Sequence, residues 1–226
     1  SVMFSRISFR ACITSATAAL IMIVGSAALA SGPYAWGWNS YGQLGDGTTT
    51  SRNVPAEVPG FEGVTAIAGG WSHSLAVSSD GSVWAWGANT YGQLGDGTTA
   101  DRLVPVQVVG LTGVMAVAAG ASHSLALKSD GTVWAWGANW YGQLGNGTTT
   151  DQSAPVQVSG LTGVIGIAAG QRHSLALKSD GTVWAWGSNQ FGQLGDGSNT
   201  SRSLPVKVTN LTGAVAVAGG YGHSLA

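Results

Sequence analysis

One unit of fifty residues, written four times with no insertion or deletion, constrains this chain more than any other feature. Trp36, Trp86, Trp136 and Trp186 hold one phase of the repeat, and Gly42, Gly92, Gly142 and Gly192 hold another. Pro55, Pro105, Pro155 and Pro205 follow, then His73, His123, His173 and His223. A unit this short cannot bury an apolar face alone and must stack on its neighbours. The period therefore points to a solenoid, a propeller or an array.

Within a unit the local pattern is β. Val114–Ala118 is short, apolar and partly β-branched (strand A), and His123–Leu127 is a second such run (strand B). Asp130-Gly131 marks a hairpin turn, because both residue types accept the positive φ that such turns need. Val133–Trp136 alternates with small residues (strand C). A loop from Gly137 to Ser153 leads to strand D, Pro155–Val158, where a proline suits an edge position. Four strands in about fifty residues make a propeller blade. The expected fold is an all-β propeller of four-stranded blades, with whole blades at about 64–108, 114–158 and 164–208. Two halves remain: residues 34–58 supply strands C and D, and residues 214–226 supply A and B. They either join as a fourth blade that closes a ring, or belong to a larger, incomplete one. The start at Ser1 and the stop at Ala226, inside a strand, favour the incomplete ring. Open end strands would then invite self-association.

The stretches Trp-Gly-Ala-Asn-Trp-Tyr-Gly-Gln-Leu-Gly (136–145) and Ala-Gly-Ala-Ser-His-Ser-Leu-Ala-Leu (119–127) resemble the repeat of the regulator of chromosome condensation family. The resemblance covers residues 34–226 and recurs in register four times. It implies a propeller, typically seven-bladed and closed by strands from both chain ends. It also implies nucleotide exchange on the small GTPase Ran with chromatin binding. Family exchange factors carry an inserted wedge in one blade, and no repeat here has an insertion, so that activity is set aside.

Residues 1–30 are different material. Arg6 and Arg10 precede an uncharged, largely apolar run that ends Ala28-Leu29-Ala30. A basic start, an apolar middle and a small-residue end read as a secretory signal peptide. Cleavage after Ala30 leaves a propeller of residues 31–226, with no stable membrane insertion and a secreted or cell-surface location. Cys12, the single cysteine, is lost with the signal, so the remaining chain forms no disulfide and no thiolate site. Charged residues are 8% of the chain and the net charge is −1. That balance argues against nucleic acid as a partner, since phosphate neutralisation needs an excess of Lys and Arg.

The repeated polar residues read as scaffold. The four histidines are expected to hydrogen-bond within their own blades, because blade spacing exceeds the reach of metal ligands. His and Ser are adjacent on strand B, as in His73-Ser74, and point to opposite faces, so they make no nucleophile–base pair together. Asp46, Asp96 and Asp196 share a loop slot that Asn146 fills once, which suggests an Asx-type turn. Trp84/Trp86, Trp134/Trp136 and Trp184/Trp186 are two apart and share a strand face, which suits packing between blades. No cofactor, metal or catalytic set is expected. Glu57, Glu62 and Arg172 alone break the polar pattern.

Positions that differ between repeats cluster in two connections. The A–B turn reads Trp71-Ser72, Ala121-Ser122, Gln171-Arg172 and Tyr221-Gly222. The early C–D loop reads Trp38/Ser40, Ala88/Thr90, Ala138/Trp140 and Ser188/Gln190. In an up-and-down blade both connections emerge on one face. The expected binding residues are therefore Trp38, Trp71, Trp140, Gln171, Arg172, Gln190 and Tyr221, rich in hot-spot types. The function read from the sequence is a binding scaffold for a protein or glycan. The alternatives are an extracellular lyase or hydrolase with a central-channel site, and a purely structural segment of a large surface protein.

Overall fold

Asp130 shows how each unit folds back on itself. Its Oδ1 accepts from the Thr132 backbone N–H at 3.0 Å, and Gly131 takes φ +77°. That turn joins two strands whose side chains alternate across the sheet. The computed structural model describes residues 32–226. The segment read as a signal peptide, with Cys12, lies outside the described residues.

Among the described residues sixteen strands form in chain order. A half-blade pairs β1 (Tyr34–Gly37) with β2 (Arg52–Glu57). Three four-stranded antiparallel sheets follow. The first holds β3 (Val64–Gly69), β4 (His73–Ser78), β5 (Val83–Gly87) and β6 (Arg102–Gln107). The second holds β7 (Val114–Ala119), β8 (His123–Lys128), β9 (Val133–Gly137) and β10 (Gln152–Gln157). The third holds β11 (Val164–Ala169), β12 (His173–Lys178), β13 (Val183–Gly187) and β14 (Arg202–Lys207). A second half-blade pairs β15 (Ala218–Gly219) with β16 (Ser224–Leu225). This is the expected all-β architecture of repeated blades.

Strands A to C fall within one residue of their sequence positions in the blade read above. Strand D differs: β10 starts at Gln152, three residues ahead of Pro155. Its ladder to β9 pairs Gln152 with Gly137, then resumes only at Val156 opposite Ala135. Pro155 sits in that irregular stretch of the outermost strand, where a missing N–H breaks no ladder bond. The two half-blades form separate sheets, and no ladder joins β1 to β16.

Blades stack through apolar clusters drawn from two successive units. One cluster combines Leu75, Val83, Leu94 and Val108 of one blade with Val114, Ala126 and Trp136 of the next. Trp86, Trp136 and Trp186 are fully buried in such interfaces, as the paired-tryptophan reading expects. The first strands β3, β7 and β11 lie against one another from blade to blade. Among the described residues no helix is long and apolar enough to cross a membrane.

Candidate functional site

The frame behind the site is a hydrogen-bonded staple repeated at each interface. His73 Nε2 lies 3.0 Å from Ser124 Oγ on the following blade. Ser124 Oγ donates in turn to the Gln93 carbonyl at 2.7 Å. The indole N–H of Trp136 donates to the same carbonyl at 2.9 Å. His123–Ser174–Gln143 and His173–Ser224–Gln193 repeat the arrangement. The histidines therefore bond to the next blade, not to their own as the sequence suggested. Residues 51 apart meet because stacking brings each strand B beside the next. No single unit shows that neighbour.

The staple also sets the proton positions. Each serine gives its proton to a carbonyl, so His Nε2–H must be the donor and the ring is neutral. Nδ1 of His73, His123 and His173 is then left buried without a partner. Burial lowers the pKa of His73 and His173 from 6.5 to about 4, and that of His123 to about 3. A Cβ on Gly70 would overlap the His73 ring, which explains a glycine three residues before each of these histidines. A serine that already donates to a main-chain carbonyl is no nucleophile. The staple is structural.

Asn39, Asn89, Asn139 and Asn189 organise the C–D loops. The Asn89 side chain donates to the Thr98 and Ala100 carbonyls and accepts from the Leu94 N–H at 2.9 Å. Asp96 Oδ1 accepts from the Thr98 N–H at 2.9 Å, and Asn146 Oδ1 does the same for Thr148 at 3.1 Å. This is the Asx-type turn expected from the Asp-to-Asn exchange. The carboxylates have a second duty that the sequence reading missed. Asp46, Asp96 and Asp196 pair with Arg52, Arg102 and Arg202. In the third loop both partners change together, to Asn146 and Gln152. Hydrogen bonds from Ser198 and Arg202 outweigh desolvation and hold Asp196 down at about 2.

On this frame the two variable connections touch. The Ala88, Ala138 and Ser188 N–H groups donate to the Ser72, Ser122 and Arg172 carbonyls, joining each C–D loop to its own A–B turn. Trp38, Trp71, Trp140 and Tyr221 are 50%, 59%, 48% and 70% exposed on these connections. Trp38 meets Tyr41 edge-on with centroids 5.5 Å apart. Trp140 meets Tyr91 of the preceding blade at 4.6 Å. The Arg172 guanidinium lies 5.3 Å from the Tyr141 ring centre and donates to its hydroxyl at 3.1 Å. Trp71 and Tyr221 enter no aromatic pair among the described residues. Gln190 is exposed, and Gln171 is half-buried with its N–H bonded to the Gly220 carbonyl.

Tyr41, Tyr91, Tyr141 and Phe191 lie outside the set of differing positions because they hold one repeated aromatic phase, yet Phe191 is 73% exposed and the tyrosines contact the variable residues. The available signal was an aromatic in a polar loop at every repeat.

The pattern-breaking charges do not converge. Arg172 sits on the aromatic face. Glu57 ends β2 and accepts from the Gly32 N–H, and Glu62 is exposed in the following D–A connection, which leaves from the other end of the blade. Among the described residues no group of three His, Cys, Asp or Glu is placed to hold a metal.

Known proteins resemble this arrangement. The profile of the regulator of chromosome condensation (RCC1) repeat matches residues 34–77, 80–127, 130–177 and 180–226. The chain is 43% identical to the ultraviolet-B receptor UVR8 of Arabidopsis thaliana over 53 residues, 23% of this chain and 12% of that protein. It is 53% identical to the human E3 ubiquitin-protein ligase HERC2 over 45 residues, 19% of this chain and 1% of that protein. In structure it resembles Prp20p of Saccharomyces cerevisiae with a TM-score of 0.72 at 24% identity, covering 85% of this chain and 50% of that one. Human WBSCR16 aligns with a TM-score of 0.59 at 25% identity, over 86% of this chain and 67% of that one. The chain thus spans half of Prp20p and a small part of the two sequence relatives.

Proposed function

This chain belongs to the regulator of chromosome condensation repeat family, and from that premise we propose that it binds a protein partner through the face built by its A–B turns and C–D loops. One observation carries the reading. Exposed aromatic side chains and Arg172 cluster on loops that are tied to one another and to a stapled frame. Trp, Tyr and Arg dominate binding hot spots because they present large area or fixed donors at low entropic cost. Rigid support lowers that cost further. Prp20p, which shares the fold, has binding properties toward Gsp1p and histones. A protein ligand therefore ranks ahead of a glycan. The reading is of a binding module and not an enzyme, because Glu57, Glu62 and Arg172 form no convergent polar site.

Secretion is part of the proposal and rests on residues 1–30 alone. The N-terminal sequence of exported protein tests it, with Ser31 as the expected first residue. Protein arrays and cell-surface extracts test the binding face. Trp71→Ala, Trp140→Ala and Tyr221→Ala should each weaken a detected interaction by roughly tenfold or more. Unchanged affinity in all three variants rejects the face.

A further inference from the structure

Two residues of the loop face depart from their repeat phase, and each is held by an aromatic that keeps its phase. One C–D loop position reads Ser40, Thr90, Trp140 and Gln190, and the second position of the A–B turn reads Ser72, Ser122, Arg172 and Gly222. Trp140 on the second whole blade reaches back to Tyr91 of the first, edge-on with ring centres 4.6 Å apart. Arg172 on the third whole blade reaches back to Tyr141 of the second. Its guanidinium lies 5.3 Å from the ring centre, and Nη1 donates to the hydroxyl at 3.1 Å. Trp140 and Tyr141 are consecutive, so the two contacts form one row across both clefts between the whole blades.

Charge also sets Arg172 apart. Four arginines lie among the described residues. Arg52, Arg102 and Arg202 each bond an aspartate of their own loop. Arg172 is exposed and enters no ion pair among the described residues. Tyr141 takes one of its five N–H donors and leaves the rest of the fork open, the shape that a carboxylate fills with two parallel bonds. The Tyr141 hydroxyl accepts from Arg172 and so keeps its own proton to donate. Every open polar group at this spot is a donor. The tether fixes a long side chain in advance, which cuts the entropy lost on binding. Beside it Trp140 stays 48% exposed, an apolar shelf next to the donors.

We propose that this row anchors an acidic linear segment of a protein partner. An Asp or Glu carboxylate seats on the Arg172 fork and the Tyr141 hydroxyl, and an apolar side chain a few residues away lies on Trp140 and Tyr91. The inference rests on the binding-face reading above and gives the partner its chemistry. One guanidinium matches the single charge of a carboxylate. A phosphate brings nearly two charges, and phosphate readers gather several arginines. No second unpaired arginine accompanies Arg172, and the C–D loops of the first two whole blades carry Asp101 and Asp151 outside any ion pair among the described residues.

The probe is a set of decapeptides selected from a random phage-displayed library on the immobilised full chain and then resynthesised. The selected peptides should share an Asp or Glu, and replacing it by Asn or Gln should weaken binding by roughly tenfold or more. Arg172→Ser installs the residue that the first two whole blades carry, so the far-ultraviolet spectrum and the urea midpoint should not move while affinity falls by a similar factor. The neutralised peptide on the Arg172→Ser chain should lose little more than either change alone, because both remove one contact. Raising salt from about 0.05 to 0.5 M should weaken the parent pair several-fold and the Arg172→Ser pair far less. Peptides that lose affinity with Trp140→Ala but need no acidic residue and ignore Arg172→Ser leave the face standing and overturn the anchor. A phosphoserine peptide that outbinds its Asp or Glu counterpart also overturns it. Peptides indifferent to Trp71→Ala, Trp140→Ala and Tyr221→Ala overturn the face and the anchor together, and a library that yields no specific binder overturns the linear anchor.

Discussion

Trp86, Trp136 and Trp186 occupy one phase of the repeat, and all three indoles are buried with the same 2.9 Å bond to a carbonyl. Positions 71, 121, 171 and 221 occupy another phase and carry Trp, Ala, Gln and Tyr. The repeat unit is the same. The surroundings differ. An interface slot has one volume, one acceptor and a glycine that fits one ring, so every copy meets the same demand. An A–B turn needs only its backbone bonds, and its side chains are exposed or half-buried. The interior thus dictates residue identity, while the face leaves it open to whatever the face contacts.

Acid should separate the two regions most strongly. The folded pKa values of His73, His123 and His173 lie below the unfolded value of 6.5. The unfolded chain therefore takes up protons that the folded chain refuses. The histidines cost no stability above pH 6.5, and stability falls as pH drops from 6.5 toward 4. Each buried ring adds a slope of up to about 1.4 kcal/mol per pH unit in that window. Urea midpoints should drop steeply between pH 6 and 4, and a flat profile there would contradict the neutral staple. Next in size, Trp136→Ala should lower unfolding free energy by about 3–5 kcal/mol, through lost burial and a cavity between blades. A loss under about 1 kcal/mol would mean the blades do not depend on the slot. Ser174→Ala leaves the His123 N–H buried and unpaired, so a loss of about 1–3 kcal/mol is expected by the same assay. Restoring the third ion pair with Asn146→Asp and Gln152→Arg should raise the melting temperature only slightly, by no more than about 1 kcal/mol of stability, because the guanidinium is partly exposed. Last, Trp71→Ala should shift stability by no more than about 0.5 kcal/mol; a larger loss would move Trp71 from the face to the frame.

Much of this was legible in the sequence. The fifty-residue phase pointed to an all-β fold of repeated four-stranded blades, and Val-Trp-Ala-Trp and Asp-Gly located strands and turns, because side-chain alternation and turn dihedrals are local properties. The Asn146 exchange revealed an Asx turn for the same reason. The start of strand D was misplaced because its ladder breaks around Pro155 and resumes, a pairing fact with no local mark. The tyrosines beside Trp38, Trp140 and Arg172 do not stand out among the differing positions, because an aromatic recurs there in every repeat. A repeated residue can serve scaffold and surface at once.

By itself, the sequence determined the unit, its strands, its turns and the family it belongs to, all set within fifty residues by periodicity and dihedral preference. Tertiary structure alone decided which blade answers His73 and which carbonyl receives the indoles of Trp86, Trp136 and Trp186. Those are contacts between units. A repeat gives every unit the same letters, so only stacking in space shows which copy meets which.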